Sequence, residues 1–126
     1  MDTTQSEFKV TPELIKSHMT RKTKAILLNY PTNPTGVILE RSEVKAIVET
    51  LVDKELFIIS DEIYAENTFK GNHTSFAKFE EIRDQLLLIG GLSKSHSATG
   101  IRIGFLIGPE SVSYTHLRAH ETVLDL

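Results

Sequence analysis

Cysteine is absent from the 126 residues, which excludes a disulfide framework and thiolate metal sites and is compatible with a reducing compartment. Basic clusters are missing as well. With 14 lysines and arginines against 17 acidic residues and a formal net charge of −3, there is no electrostatic footprint for nucleic acid and no basic amphipathic helix for a membrane surface. No apolar stretch is long enough to span a bilayer, and the opening residues do not pair basic residues with an apolar run. Internal repeats and low-complexity linkers are also lacking. What remains is 40% hydrophobic and 25% charged residues, an ordinary composition for a soluble globular domain with one core. The expectation is a soluble, cytoplasmic protein with neither nucleic-acid nor membrane partners.

Apolar runs alternate with helical patterns along the chain. In "VTPELIKSHMT", Thr11 stands at an N-cap and Pro12 at the first helical position, ahead of Leu14, Ile15 and Met19 at helical spacing. Ser42 is the expected cap of a second helix reaching about Lys54, with Val44, Ile47, Val48 and Leu51 on one stripe. Four apolar segments read as strands: 24–29, 56–61, 85–91 and 102–109, with a short helix near 80–83. The first is a continuous apolar run ended by the turn-rich "YPTNPTG", which suits a strand buried on both faces. The order of elements indicates an α/β fold with a mainly parallel sheet. Asn33 then follows the first strand, Asp61 ends the second and Lys94 follows the third. In open α/β sheets, the ligand crevice forms beyond those carboxyl ends.

Three motifs occupy this edge: "NPTG" (Asn33 to Gly36), "SDEIY" (Ser60 to Tyr64) and "GLSKSHSATGIRIG" (Gly91 to Gly104). In this order and spacing they resemble the class I and II aminotransferases, fold-type-I enzymes that use pyridoxal 5'-phosphate, over roughly Thr11 to Pro109. The resemblance implies the following roles. Lys94 is the Schiff-base lysine and the proton shuttle at the substrate α-carbon, in a site that favours its neutral or imine form. Asp61 partners the pyridinium nitrogen, and Tyr64 and Asn33 bind the ring oxygen. Arg102 holds the phosphate with a bidentate fork, helped by the Ser93 hydroxyl. Gly91 departs from members that carry a phosphate-binding serine there. Gly100 and Gly104 let the chain pass close to a ligand.

Each residue also has a plainer reading: a solvated loop lysine, a helix N-cap at Asp61, a core aromatic at Tyr64, an Asx turn at Asn33 and a surface ion pair at Arg102. His96 reads as a polar neighbour of Lys94, and His73 as a solvated or turn-forming loop residue. His116 and His120 stand at helical ligand spacing without a third ligand, so no metal site is expected.

The resemblance further implies an amino acid and a 2-oxo acid as substrates and a homodimeric parent enzyme. The branch it most resembles includes enzymes of N-acetyl-diaminopimelate, aspartate or aromatic amino acids. A carbon–sulfur β-lyase and the ligand-sensing domain of a transcription regulator share these motifs and stand as alternatives. Residues 1–110 read as part of the cofactor-binding large domain. Residues 111–126 resemble nothing in the family and read as a non-native tail. The family's stacking aromatic, main phosphate loop and substrate-carboxylate arginine have no counterpart here. The chain on its own is therefore expected to lack transaminase activity and to leave apolar sheet faces open to water.

Overall fold

In the computed structural model, residues 1–112 are described; His116, His120 and all but the first two residues of the 111–126 segment lie outside them. The first helix, α1 (Pro12–His18), begins as its sequence requires. Thr11 is extended, its hydroxyl accepts the Leu14 N–H at 3.2 Å, and Pro12 fills a position whose own N–H has no helical partner. Its one buried side chain, Ile15, meets α2 (Arg41–Leu51).

Helix α2 starts earlier than the Ser42 cap implies. Glu40 is its N-cap, and its backbone N–H donates to Glu43 Oε2 at 2.7 Å, so Ser42 falls inside the first turn. The helix also stops at Leu51, short of Lys54. Its stripe is as the periodicity demands: Val44, Ile47, Val48 and Leu51 are all buried. Burial of each such side chain stabilises by about 1.5–3 kcal/mol.

The sheet holds β1 (Ala25–Asn29), β2 (Phe57–Asp61), β3 (Leu86–Gly91) and β4 (Gly104–Ile107), in that order across the sheet. The first three run parallel, and β4 is antiparallel to β3. The short helix expected near 80–83 is a 3₁₀ segment at Glu80–Gln85. One face of the sheet is packed: Ile26, Leu28 and Ile58 join α2, Phe76 and Ile82 in the core.

Continuous apolar runs imply strands covered on both faces, and here the structure differs. Leu27 is 62% and Phe57 41% exposed on the opposite face, and all four residues of β4 are exposed. No element among the described residues packs over that face. No described helix is long and apolar enough to cross a membrane.

Candidate active site

The register of the parallel strands aligns Asn29, Asp61 and Ile89 across the sheet at the carboxyl end of β1, β2 and the adjoining part of β3. The Asn29 amide donates to the Asp61 carbonyl at 3.1 Å, a tie that the sequence reading missed. Because β4 runs backwards, its first residue, Gly104, pairs with Gly91, the last residue of β3. The connecting segment 92–103 therefore leaves and returns at one edge. Lys94, in the four-residue helix α3 (Leu92–Ser95), and Arg102, just before β4, both belong to the edge that Asp61 ends.

The loop after β1 brings Asn33 across to β2's loop. Thr32 Oγ1 donates to Asn29 O at 2.7 Å, and the Gly36 N–H to Thr32 O at 2.7 Å, closing a turn in which Gly36 takes φ +70°. That conformation favours glycine. Both Tyr30–Pro31 and Asn33–Pro34 are cis. Across the loops, Asn33 Nδ2 donates to the Tyr64 hydroxyl at 3.1 Å. Lys94 Nζ lies 5.7 Å from the centroid of the same Tyr64 ring. Asn33, Tyr64 and Lys94, distant in sequence, are thus neighbours. Asn33 and Tyr64 also line an open cleft of about 880 Å³ with Pro31, Val37 and Phe69. A cleft of about 930 Å³ beside α1 and α2 contains none of the site residues.

Asp61 is half-buried, and its Oδ1 accepts the Ile63 N–H at 3.2 Å. It caps a turn rather than an α-helix, since only a 3₁₀ segment, Ala65–Asn67, follows. Arg102 is exposed in the left-handed region at φ 61°, and its Nη1 donates to Thr99 O at 3.2 Å. The Ser93 carbonyl accepts from the Thr99 hydroxyl at 3.1 Å, which ties the lysine segment to the arginine segment. Among the described residues Asp61, Lys94 and Arg102 form no salt bridge. One carboxylate and two cations without ion-pair partners at one sheet edge suit a ligand with a cationic ring nitrogen and an anionic phosphate.

Several sequence readings need correction. Lys94 is exposed. Gly104 lies close to Gly90, where a Cβ would come within 3.3 Å of the Gly90 carbonyl, and Gly100 faces open space. Gly104 therefore serves the close β3–β4 pairing. Gly91 has a similar reason: a Cβ there would lie 2.9 Å from Ile103 O, so a serine would push the incoming strand away. His73 is not solvated. Its Nε2 lies 2.7 Å from Glu62 Oε2, with side chains only 12% and 7% exposed. Glu62 was missed by the sequence reading, although a glutamate next to Asp61 in an apolar strand end was the available signal. His96 is exposed and shares a hydrogen bond with Ser95 Oγ at 2.8 Å, as a polar neighbour would.

Against this geometry, a family model described as aminotransferase class I and II matches residues 2–123, a span that takes in part of the 111–126 segment. The chain belongs to that family. Class I and II aminotransferases generally depend on pyridoxal phosphate. A probable N-acetyl-LL-diaminopimelate aminotransferase of Bacillus subtilis is 46% identical over 96% of this chain and 30% of its own length. An aspartate aminotransferase of the same organism is 42% identical over 94% of this chain and 31% of its own length. Among solved structures, an aromatic aminotransferase of Pyrococcus horikoshii superposes with TM-score 0.79 at 32% identity, covering 84% of this chain and 28% of that one. The chain thus spans about a third of the aminotransferases it matches, and its four-stranded sheet is part of a fold-type-I architecture.

Proposed function

We propose that this chain is the cofactor-carrying part of a pyridoxal-phosphate-dependent aminotransferase that moves an amino group between an amino acid and a 2-oxo acid. The observation that carries this reading is the convergence of Asn33, Tyr64 and Lys94, with Asp61 and Arg102 at the same sheet edge and without ion pairs among the described residues. The family match and relatives of the N-acetyl-diaminopimelate, aspartate and aromatic kinds support it. A working enzyme of this type is homodimeric and cytoplasmic in this reading, and residues 111–126 stand outside its large domain.

When bound, pyridoxal phosphate supplies an electron sink for the bond broken at the substrate α-carbon. Lys94 is the residue that would hold the aldehyde carbon through Nζ, and once the substrate amine had taken its place there the freed amine could take the α-proton and return it. The Asp61 carboxylate keeps a proton on the ring nitrogen. Asn33 and Tyr64, already hydrogen-bonded to each other, donate to the ring oxygen. Arg102, with the Ser93 hydroxyl, binds the phosphate, for which a planar guanidinium fork is suited. Lys94 Nζ also stands 5.7 Å from the Tyr64 ring centroid, a cation–π contact worth about 0.5–1 kcal/mol at an exposed site.

The test is covalent mapping. The chain is incubated with pyridoxal 5'-phosphate, reduced with borohydride and digested, and the label is located by mass spectrometry. Lys94 should carry most of the label, and Lys94→Ala should remove it. Label spread evenly over Lys16, Lys22, Lys45 and Lys94 would refute the assignment.

A further inference from the structure

Glu62 is a buried carboxylate for which the mechanism above has no use. It stands between Asp61 and Tyr64, and strand alternation turns it the opposite way from Asp61. Asp61 shares the open face of β2 with Phe57, while Glu62 enters the protein on the face of Ile58 and Ser60. There its two oxygens accept four hydrogen bonds. Oε1 takes the Ser60 hydroxyl at 2.9 Å, the Ser75 hydroxyl at 3.1 Å and the Phe76 N–H at 3.1 Å, and Oε2 faces His73 Nε2 at 2.7 Å. Burial pushes this carboxyl up, but the bonds from His73, the Phe76 N–H and Ser60 outweigh it and hold the group below its ordinary value of 4.5.

The second partner is as informative. His73 Nδ1 is buried without a hydrogen-bond partner. Donation from Nε2 to the carboxylate leaves Nδ1 as a bare acceptor, whereas a proton on Nδ1 would bury an unpaired donor. The geometry therefore selects the Nε2–H tautomer. Three of the four donors come from residues 73–76, so the carboxylate ties the end of β2 to a segment beyond the loop. The main chain of the same turn is also held: Glu62 N–H to Ile89 O, Ala65 N–H to Glu62 O and Asn67 N–H to Tyr64 O, each 2.9 Å.

We propose that Glu62, held by His73, is a positioning residue that fixes the 61–64 turn and thereby sets where Asp61 and Tyr64 stand toward the cofactor. The fixing of the turn is a property of the chain itself, and its consequence for the cofactor rests on the function proposed above. A carboxylate at this point serves no packing purpose that an apolar side chain would not serve better. Its value lies in the direction of its four bonds, which place neighbours of opposite orientation on one rigid turn.

The experiment compares the 126-residue chain with Glu62→Gln, His73→Ala and His73→Gln by amide hydrogen exchange and by borohydride labelling of Lys94 at limiting pyridoxal phosphate. Glutamine at 62 loses the charge and presents a donor where donors converge. Glutamine at 73 restores an N–H where the imidazole Nε2 stood. Glu62→Gln and His73→Ala should speed exchange at Ile63, Ala65 and Asn67 by roughly ten- to hundredfold, the effect of losing a buried hydrogen bond to a charged group, with the β1–β2 ladder unchanged. Labelling of Lys94 should fall about tenfold in the same two variants, because one such bond is worth at least that factor, and His73→Gln should recover both readouts. Unchanged exchange at 63–67 overturns the proposal. So does equal loosening of the β1–β2 ladder, which makes Glu62 a general stabiliser, and so does a loosened turn with normal Lys94 labelling. If the unmutated chain labels Lys94 no better than other lysines, the proposed function fails, and the exchange data still decide whether Glu62 fixes the turn.

Discussion

Alanine at Gly90 tests how tightly β4, and with it the approach to Arg102, is seated on β3. A Cβ there would fall 2.2 Å from Phe105 Cζ and 2.6 and 3.0 Å from Cε2 and Cε1, so its three nearest neighbours are all atoms of one ring. Phe105 is the direct cross-strand partner of Gly90. No real contact is that short, and either the ring swings out or the strand shifts. The ring is 49% exposed and can move into solvent, which puts the cost at the low end of the ~1–3 kcal/mol typical of overpacking. A second effect opposes it. Gly90 lies outside the left-handed region, so alanine restricts the unfolded chain and stabilises by about 0.4–1 kcal/mol. Gly90→Ala should therefore destabilise the chain by no more than about 1 kcal/mol net. In a Phe105→Ala background the clash is gone and the sign should reverse, to a stabilisation of about 0.4–1 kcal/mol. Urea unfolding of the four chains, followed by circular dichroism, gives the coupling directly, and it should be about 1 kcal/mol or more. An identical effect of Gly90→Ala in both backgrounds would refute the reasoning.

Two other expectations follow from groups described above. Because the Glu62 carboxyl is held below its ordinary value in the folded chain, its stabilising contribution is present above pH 4.5 and is lost as pH falls through the folded value. The stability difference between the unmutated chain and Glu62→Gln, measured by urea unfolding from pH 7 down to pH 3, should shrink below pH 4.5; a constant difference would place the carboxylate outside the network. Leu27→Thr and Phe57→Thr change side chains that are 62% and 41% exposed, so each should alter unfolding free energy by no more than ~0.5 kcal/mol while lowering light scattering at high concentration. A loss several times larger would mean that this face is covered in solution.

Much of the scaffold was legible because its signals are local. Thr11 and Pro12 mark a helix start by their own chemistry, and the Val44, Ile47, Val48, Leu51 stripe is a periodicity that survives a misplaced cap. The strand positions followed from apolar runs bounded by turns. Composition of a run does not say what lies over it, however, and so Leu27 and Phe57 were read as covered. The cap of α2 was misread because Glu40 works together with Glu43, a reciprocal arrangement less recognisable than a serine. Of the site, the motif residues were legible as types at strand ends. The contacts among them were not, because the Asn33–Tyr64 bond and the Glu62–His73 pair join residues that only the folded loops bring together. The reversal of β4 was likewise invisible, since a short apolar strand reads the same in either direction.

The strands lie side by side in the order in which they occur along the chain. Each new strand therefore pairs with the one made just before it, which keeps loop closure short and lets the sheet grow as the chain leaves the ribosome. The buried cluster runs from Val10 to Leu86 and takes nothing from the later segment that holds Lys94 and Arg102. Among the described residues, that cluster is therefore made before those two residues are synthesised. Sequence change between Leu92 and Ile103 can then alter chemistry while leaving that buried cluster untouched, a separation under which a single scaffold can acquire new specificities.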